Sequence, residues 1–354
     1  MIPTDPPGRQ GPGESNQAGQ ESEEPSPEPP EGATRSTGRP GSGTFTIEGR
    51  AAPGLFVVGW LATIVGAGCV GVALLSWGRG AALLLALVGL VLLSVGLIAG
   101  AGSQGIERRN RGIARYRGPS PILVFAATIP LSYLGVIAVG ALMAGAGIRI
   151  DGPVGQLAAV LIQTAIYIAV VRLLVVDTGA LSWSEMGIGP PDRAALSRLA
   201  WGALAAGPVI LVTAAVAVAA SRLTTATPES PLPPTGEATG FALQFMAGVV
   251  VAPIGEEIMF RAFATTAWSR AFGVTRAVIQ GGLFFALVHV INQAGATAEA
   301  ALALAAVAFV TRIPVALVLG WLFVRHRSIW APLGLHATFN AILLVLGEMA
   351  FRSG

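Results

Sequence analysis

Six side chains that can do chemistry stand within apolar stretches of the C-terminal third of this chain. In chain order they are Glu256, Glu257 and Arg261, then His289, then His336 and Asn340. Hydrocarbon solvates charge poorly, so an ionisable group inside a membrane span normally faces a bundle interior or a wet cavity. These residues are therefore the first candidates for a functional site.

The residue types predict hydrolysis by an activated water. A carboxylate and an imidazole of this set can share a water and take its proton as general base. A second imidazole and an amide can donate hydrogen bonds to the oxyanion that forms when water attacks a carbonyl. No covalent nucleophile is evident, because the single cysteine, Cys69, lies far away and the spans contain no Gly-x-Ser-x-Gly turn.

Each cluster alone also has a purely structural explanation. Glu257 and Arg261 are four residues apart, so on a helix they share a face and can form a structural ion pair. A lone histidine in an apolar helix, such as His289, is more often a packing residue than a catalyst. His336 and Asn340 can serve as hydrogen-bonding groups between helices. The enzymatic interpretation depends on all three clusters acting together.

The residues leave the cofactor open. Glu256, His289 and His336 are candidate ligands for a divalent metal such as zinc, but no ligand spacing enforces such a site. The His-Glu-x-x-His signature of zinc proteases is missing. We favour a site that works without a metal.

The elements that must position these residues belong to a membrane protein. Hydrophobic residues make up 53% of the 354 residues and charged residues 12%, against about 25% charged residues in soluble domains. We predict an all-α, polytopic transmembrane bundle of eight or nine spans, since a span needs about 20 apolar residues. The apolar runs are residues 54–77, 81–102, 121–147, 154–176, 199–221, 239–268, 273–294, 300–324 and 329–350. Pro314 interrupts the eighth run, which is typical of a bend or of two shorter helices.

The arginines predict the orientation of the bundle. Residues 103–120, between spans two and three, hold five arginines and one glutamate, an excess typical of a cytoplasmic loop. Alternation then places the N-terminus and the loops after spans four, six and eight on the cytoplasmic side. Glu256, His289 and His336 come to lie roughly 14–21 Å from the inner boundary, at about 1.5 Å per helical residue. The three helices can therefore share one cavity.

The first fifty residues differ from the rest. They are rich in Pro, Gly, Glu and Ser and contain no apolar run. Such a segment buries too little apolar surface to fold, so we predict that residues 1–50 form a disordered, acidic tail. It has no basic stretch followed by an apolar one, which argues against a cleavable signal peptide.

Three motifs, taken in order, resemble the family of CAAX prenyl endopeptidases and bacteriocin-processing intramembrane proteases, the CPBP or Abi family. They are Glu-Glu-x-x-x-Arg at 256–261, Phe-x-x-x-His at 285–289 and His-x-x-x-Asn at 336–340. The segments at 182–187, 319–321 and 328–332 are also similar to the family. The resemblance covers residues 180–350, so we divide the chain into accessory helices at 51–178 and a catalytic core at 179–354.

The resemblance implies a helical bundle whose cavity opens to the cytosol or to lipid. It assigns water activation to Glu256 and His289 and oxyanion stabilisation to His336 and Asn340. Glu257, Arg261 and Phe285 are implied to support the geometry of the site. Members are often called metalloproteases, although a metal-free glutamate mechanism is also argued for prenyl proteases.

The implied partners are a peptide or membrane-protein substrate and membrane lipid, without nucleic acid. The composition is typical of a bacterial protein, so we expect a multi-pass protein of the plasma membrane and disfavour a prenylated substrate. Two other functions stay open: a non-catalytic immunity or peptide-binding membrane protein, and a proton-coupled transporter. A transporter is disfavoured because its repeats would place broken helices in both halves, whereas here the polar groups lie in one half.

Overall fold

The computed structural model describes residues 46–78, 80–112, 115–222, 224, 233–291 and 293–353. The predicted tail, residues 1–50, lies almost entirely outside this part of the chain. The described residues form helices and no strands, which confirms the all-α class. The helices are α1 (Pro53–Leu75), α2 (Ala82–Arg111), α3 (Pro121–Gly145), α4 (Pro153–Val176), α5 (Arg193–Ser221), α6 (Ala238–Phe272), α7 (Val274–Val288), α8 (Ala298–His326) and α9 (Trp330–Ser353).

Eight of these helices are long and apolar enough to cross a membrane, which confirms a polytopic bundle. The eighth predicted run is a single helix, α8, that continues through Pro314 without a second start. A helix is the one way in which a lone segment satisfies its own backbone in an apolar medium. That requirement outweighs the hydrogen bond that Pro314 cannot make.

The seventh predicted span is shorter than expected. A helix over residues 273–294 is wrong at its C-terminal end, because α7 stops at Val288 after 15 residues. Beyond this point the chain contains His289, Asn292 and Gln293. It then reaches Gly295, whose backbone lies so close to Ala301 that a Cβ would come 2.5 Å from the Ala301 nitrogen. His289 therefore follows the last turn of α7 as its C-cap residue instead of standing within a helix.

Contacts between loops show that α7 still reverses the chain direction. Arg270 at the end of α6 pairs with Glu185 in the α4–α5 loop, with 2.7 Å between Nη2 and Oε1. The Ile329 N–H, in the α8–α9 loop, donates to the Gly187 carbonyl of the same α4–α5 loop at 3.0 Å. The loops after α4, α6 and α8 thus lie at one end of the bundle, as the alternation of arginines predicted. The assignment of that end to the cytosol stays a prediction.

Close helix contacts fix the position of α9, which carries His336. α9 packs against α5 through two glycines. Gly202 of α5 faces the Ala331 carbonyl of α9, and Gly334 of α9 faces the Leu199 carbonyl of α5. Both contacts are so close that a Cβ on the glycine would overlap the carbonyl oxygen. Small residues of this kind allow membrane helices to approach through van der Waals contact.

Candidate active site

The helix that carries the glutamate pair is not a regular α-helix. In α6, a π-helical turn at Met246–Val251 precedes Glu256 and a second one at Glu257–Thr265 follows it. π-helical turns are rare and frequently occur at functional sites. Between them Gly255 lies against α4, where a Cβ would come 2.7 Å from the Thr164 hydroxyl oxygen. The glutamates are therefore held where α6 is widened and pressed onto a neighbour.

Three helices bring their ionisable groups together. Oε2 of Glu256 lies 3.5 Å from Nε2 of His289, at the end of α7, and 3.7 Å from Nε2 of His336, in α9. The side chain of Glu256 is 19% exposed, whereas that of His336 is 8% exposed. Both imidazoles thus face the same carboxylate oxygen, so the three sequence clusters form one site.

The other ring nitrogen of each imidazole is occupied. Nδ1 of His289 lies 2.7 Å from the Phe285 carbonyl oxygen, and Nδ1 of His336 lies 2.8 Å from Oε1 of Glu257. A carbonyl oxygen only accepts, so Nδ1 of His289 carries the proton. These contacts fix the ring orientations and direct Nε2 of each histidine to Glu256. Oε2 of Glu256 is itself buried and has no hydrogen-bond partner among the described residues.

Buried charges support this arrangement from behind. Glu257 and Arg261 are 0% and 2% exposed, and the expected pair is present with 3.3 Å between Nη1 and Oε1. The Arg261 guanidinium lies 4.0 Å from the centre of the Phe285 ring, a cation–π arrangement. The Phe285 ring also contacts both imidazoles, at centroid distances of 4.3 Å to His289 and 5.8 Å to His336. The Phe285 ring therefore contacts the Arg261 guanidinium and both imidazoles of the site.

Asn340 has a different environment from the one expected. Its Nδ2 donates to the Gly248 carbonyl at 2.8 Å, in the first π-helical turn of α6. The amide thus ties α9 to α6, one turn from His336, and the structure does not direct it at Glu256. Its predicted role toward an oxyanion stays a prediction.

A cavity of about 830 Å³ opens beside the cluster. Glu256 and His289 line it, together with side chains from α3, α4 and α8. In the sequence analysis, α3 and α4 belong to the accessory part of the chain, so their contribution to the cavity was not predicted. The polar residues within their apolar runs were the one sequence feature that could have indicated it. The polar lining outside the cluster comprises Thr128, Ser132 and Tyr133 of α3, Gln163 and Tyr167 of α4, Gln293, and Arg312 of α8.

The candidate metal ligands Glu256, His289 and His336 lie close together in the site. Among the residues that the structure describes, no three His, Cys, Asp or Glu side chains are arranged to hold a metal ion. The candidate ligands do not satisfy this criterion, although their side chains point toward one another. The geometry offers carboxylate and imidazole chemistry.

Residues 238–342 match a family model described as type II CAAX prenyl endopeptidase Rce1-like. The segment is similar to the proteins of this family. It begins with α6, ends within α9 and contains all three motifs, which confirms the resemblance to CPBP-family intramembrane proteases. The domain supports a CAAX-type endopeptidase in general, with a peptide or protein substrate and a place in the membrane. No curated protein and no solved structure matches the chain.

Proposed function

We propose that this protein is an intramembrane endopeptidase in which Glu256 activates a water molecule for attack on a peptide bond. The observation that carries the proposal is the environment of Glu256. The residue lines the cavity, and its buried Oε2 faces two imidazoles and has no hydrogen-bond partner in the described part of the chain. A carboxylate that lines a cavity beside two imidazoles is suited to take a proton from a water.

In the first step, the water donates one hydrogen bond to Glu256 and lies against His289. The carboxylate of Glu256 takes a proton as the water oxygen forms a bond to the carbonyl carbon of the substrate. The π-electrons of that carbonyl move to its oxygen, which becomes the oxyanion of a tetrahedral intermediate. The Phe285 carbonyl holds the ring of His289 in place through Nδ1.

The oxyanion is stabilised by His336. Glu257 contacts Nδ1 of His336 and fixes the orientation of the ring. Nε2 of His336, when it carries a proton, donates a hydrogen bond to the oxyanion. Asn340 adds a second donor once its amide turns away from the Gly248 carbonyl. The intermediate then collapses, the C–N bond breaks, and the protonated Glu256 returns its proton to the leaving amine. Glu256 is regenerated as a carboxylate.

Glu256→Gln tests this assignment, because the amide keeps the shape of the side chain and removes the proton acceptor. Cleavage of a peptide library by the detergent-purified variant should fall by about 10² to 10⁴, the usual effect of losing a positioned base. Glu299→Gln, an exposed position in the first turn of α8, is the matched control and should cleave like wild type. Wild-type turnover in a folded Glu256→Gln variant would refute the proposal.

The proposed mechanism works without a metal, and metal analysis of the purified protein tests this separately. Activity should persist after treatment with a strong chelator, and the metal content should stay well below one ion per chain. The opposite result would be one zinc ion per chain, with cleavage lost when the zinc is removed and restored when it is added back. That result would refute a mechanism in which Glu256 activates water without a metal.

We further propose that the protein lies in a bacterial plasma membrane with its N-terminus in the cytosol. The support is the arginine-rich segment between α2 and α3, together with the loops after α4, α6 and α8 at one end of the bundle. Labelling of single cysteines introduced at exposed Arg149 and at exposed Glu185 should show opposite sides, with only the first accessible from outside the cell.

A further inference from the structure

Arg312 is a membrane-embedded cation that the mechanism does not use. It stands in the middle of α8 and lines the cavity that contains Glu256 and His289. A charged side chain at this depth is costly and normally has a compensating partner. Among the described residues it forms no ion pair, and its one hydrogen bond runs from Nη1 to the carbonyl of Ala308 on its own helix, at 2.9 Å.

The contrast with Arg261 shows what a structural arginine looks like in this protein. Arg261 is 2% exposed, pairs with Glu257 and lies on the Phe285 ring, so it is enclosed by side chains. Arg312 is only half-buried and borders open space. A guanidinium has five N–H donors, and most of those of Arg312 are free to bind a molecule in the cavity.

The cavity lining thus contains one acidic and one basic residue. Glu256 and Arg312 are the acidic and basic residues that line it, they interact electrostatically, and they do not form a direct ion pair. Apart from His289, the rest of the lining is apolar or neutral and includes hydroxyl and amide groups from α3 and α4. A planar guanidinium matches a carboxylate through two parallel hydrogen bonds.

We propose that Arg312 binds a carboxylate group of the substrate and thereby places the scissile bond at Glu256. This inference deepens the proposed peptidase function and rests on it. The carboxylate is either the free C-terminus of the peptide or an acidic side chain near the cleaved bond. A cationic group at the same place in the substrate is disfavoured, because it would meet Arg312.

Three matched peptides separate the two sources of the carboxylate. One ends in a free carboxylate, the second has the same sequence with a C-terminal amide, and the third has the amide plus an internal glutamate. Binding is measured at equilibrium in detergent on Glu256→Gln, whose cleavage should be slower by about 10² to 10⁴, and on the double variant Glu256→Gln with Arg312→Gln. Loss of a charge-assisted hydrogen bond should weaken binding of a carboxylate peptide roughly ten- to a hundredfold.

The amide peptide should bind weakly to both proteins and with equal affinity. Dependence on Arg312 for the free-acid peptide alone identifies the C-terminus as the ligand, and dependence for the glutamate peptide identifies a side chain. Arg312→Lys should restore part of the preference, since it keeps the charge and loses the planar fork. Arg149→Gln, in an exposed loop, is the matched control and should bind all three peptides as the parent does.

Equal binding of all three peptides by the parent protein would overturn the proposal, as would an Arg312→Gln variant that retains the preference for a carboxylate peptide. The readout also separates this inference from the peptidase function itself. A protein that prefers carboxylate peptides through Arg312 and never cleaves them would keep the carboxylate site and refute the hydrolase.

Discussion

At the scale of single residues, the two adjacent glutamates of the site have different environments. Glu257 is fully buried, and its Oε1 contacts both Arg261 and His336. Glu256 is its neighbour in sequence, is 19% exposed and lines the cavity. One carboxylate therefore holds the architecture and the other is available for chemistry, an asymmetry that their adjacency in sequence does not reveal.

Arg261→Ala tests the supporting half of this division. The change leaves Glu257 buried without its ion-pair partner, and breaking a buried pair costs roughly 3–5 kcal/mol. We expect poor expression and a lower melting temperature in detergent. Arg261→Lys, which keeps the charge, should recover part of the stability. An Arg261→Ala variant with wild-type stability and no activity would instead place Arg261 in the chemistry.

At the scale of elements, much of the arrangement follows from the sequence. Apolar runs predicted the helices, and the spacing of Glu257 and Arg261 predicted their pairing. The early end of α7 and the π-helical turns of α6 were not predicted, because both depend on packing with other helices. Thr164 of α4, for example, can lie this close to α6 only because residue 255 is a glycine.

Cavity lining was equally hidden from sequence. Ser132 and Gln163 are polar residues within apolar runs, but their common direction depends on how α3 and α4 pack, which periodicity does not specify. The site motifs were found because catalysis restricts residue types strongly. The surrounding wall needs only suitable size and polarity, so no spacing identifies it.

Gly334→Ala tests how α9 is positioned. A Cβ at Gly334 would overlap the Leu199 carbonyl of α5, so α9 must shift and carry His336 with it. Overpacking typically costs about 1–3 kcal/mol, and we expect both a lower melting temperature and slower cleavage. Gly347→Ala, in the same helix with no atom within 4 Å of the new Cβ, is the matched control. Equal stability of the two variants would contradict the assigned contact.

At the scale of the whole molecule, a hydrogen-bonded cluster of Ser182, Glu185 and Arg270 connects the α4–α5 loop to the end of α6. We call this cluster the strap. Hydrogen bonds from Arg270 and Ser182 lower the pKa of Glu185 from 4.5 to about 2. Because the folded-state pKa is lowered, the strap contributes stability above pH 4.5 and loses it as the pH falls toward 2. The contribution is modest, since Glu185 is exposed and solvent screens the pair.

Glu185→Gln tests the strap through the pH dependence of thermal unfolding. The wild-type protein should melt at a slightly higher temperature than the variant near neutral pH, and the two curves should converge between about pH 4.5 and 2. Arg149 pairs with Asp151 in a loop at the opposite end, so Asp151→Asn is a control for loss of one exposed ion pair. A difference between wild type and Glu185→Gln that stays constant down to pH 2 would assign the effect to something other than ionisation of Glu185.

Residues 47–354 form one compact unit that contains every side chain of the proposed site. Removal of residues 1–46 should therefore leave membrane insertion and peptide cleavage unchanged. The cut is best made before Ile47, because Arg50 stacks on Phe56 and the Ala51 N–H donates to Glu107 at 2.8 Å, so these residues belong to the helical unit. Insertion is measured by membrane fractionation, and cleavage with the same peptide library as the full chain. A shortened protein that inserts normally and no longer cleaves would make the N-terminal segment part of the working enzyme.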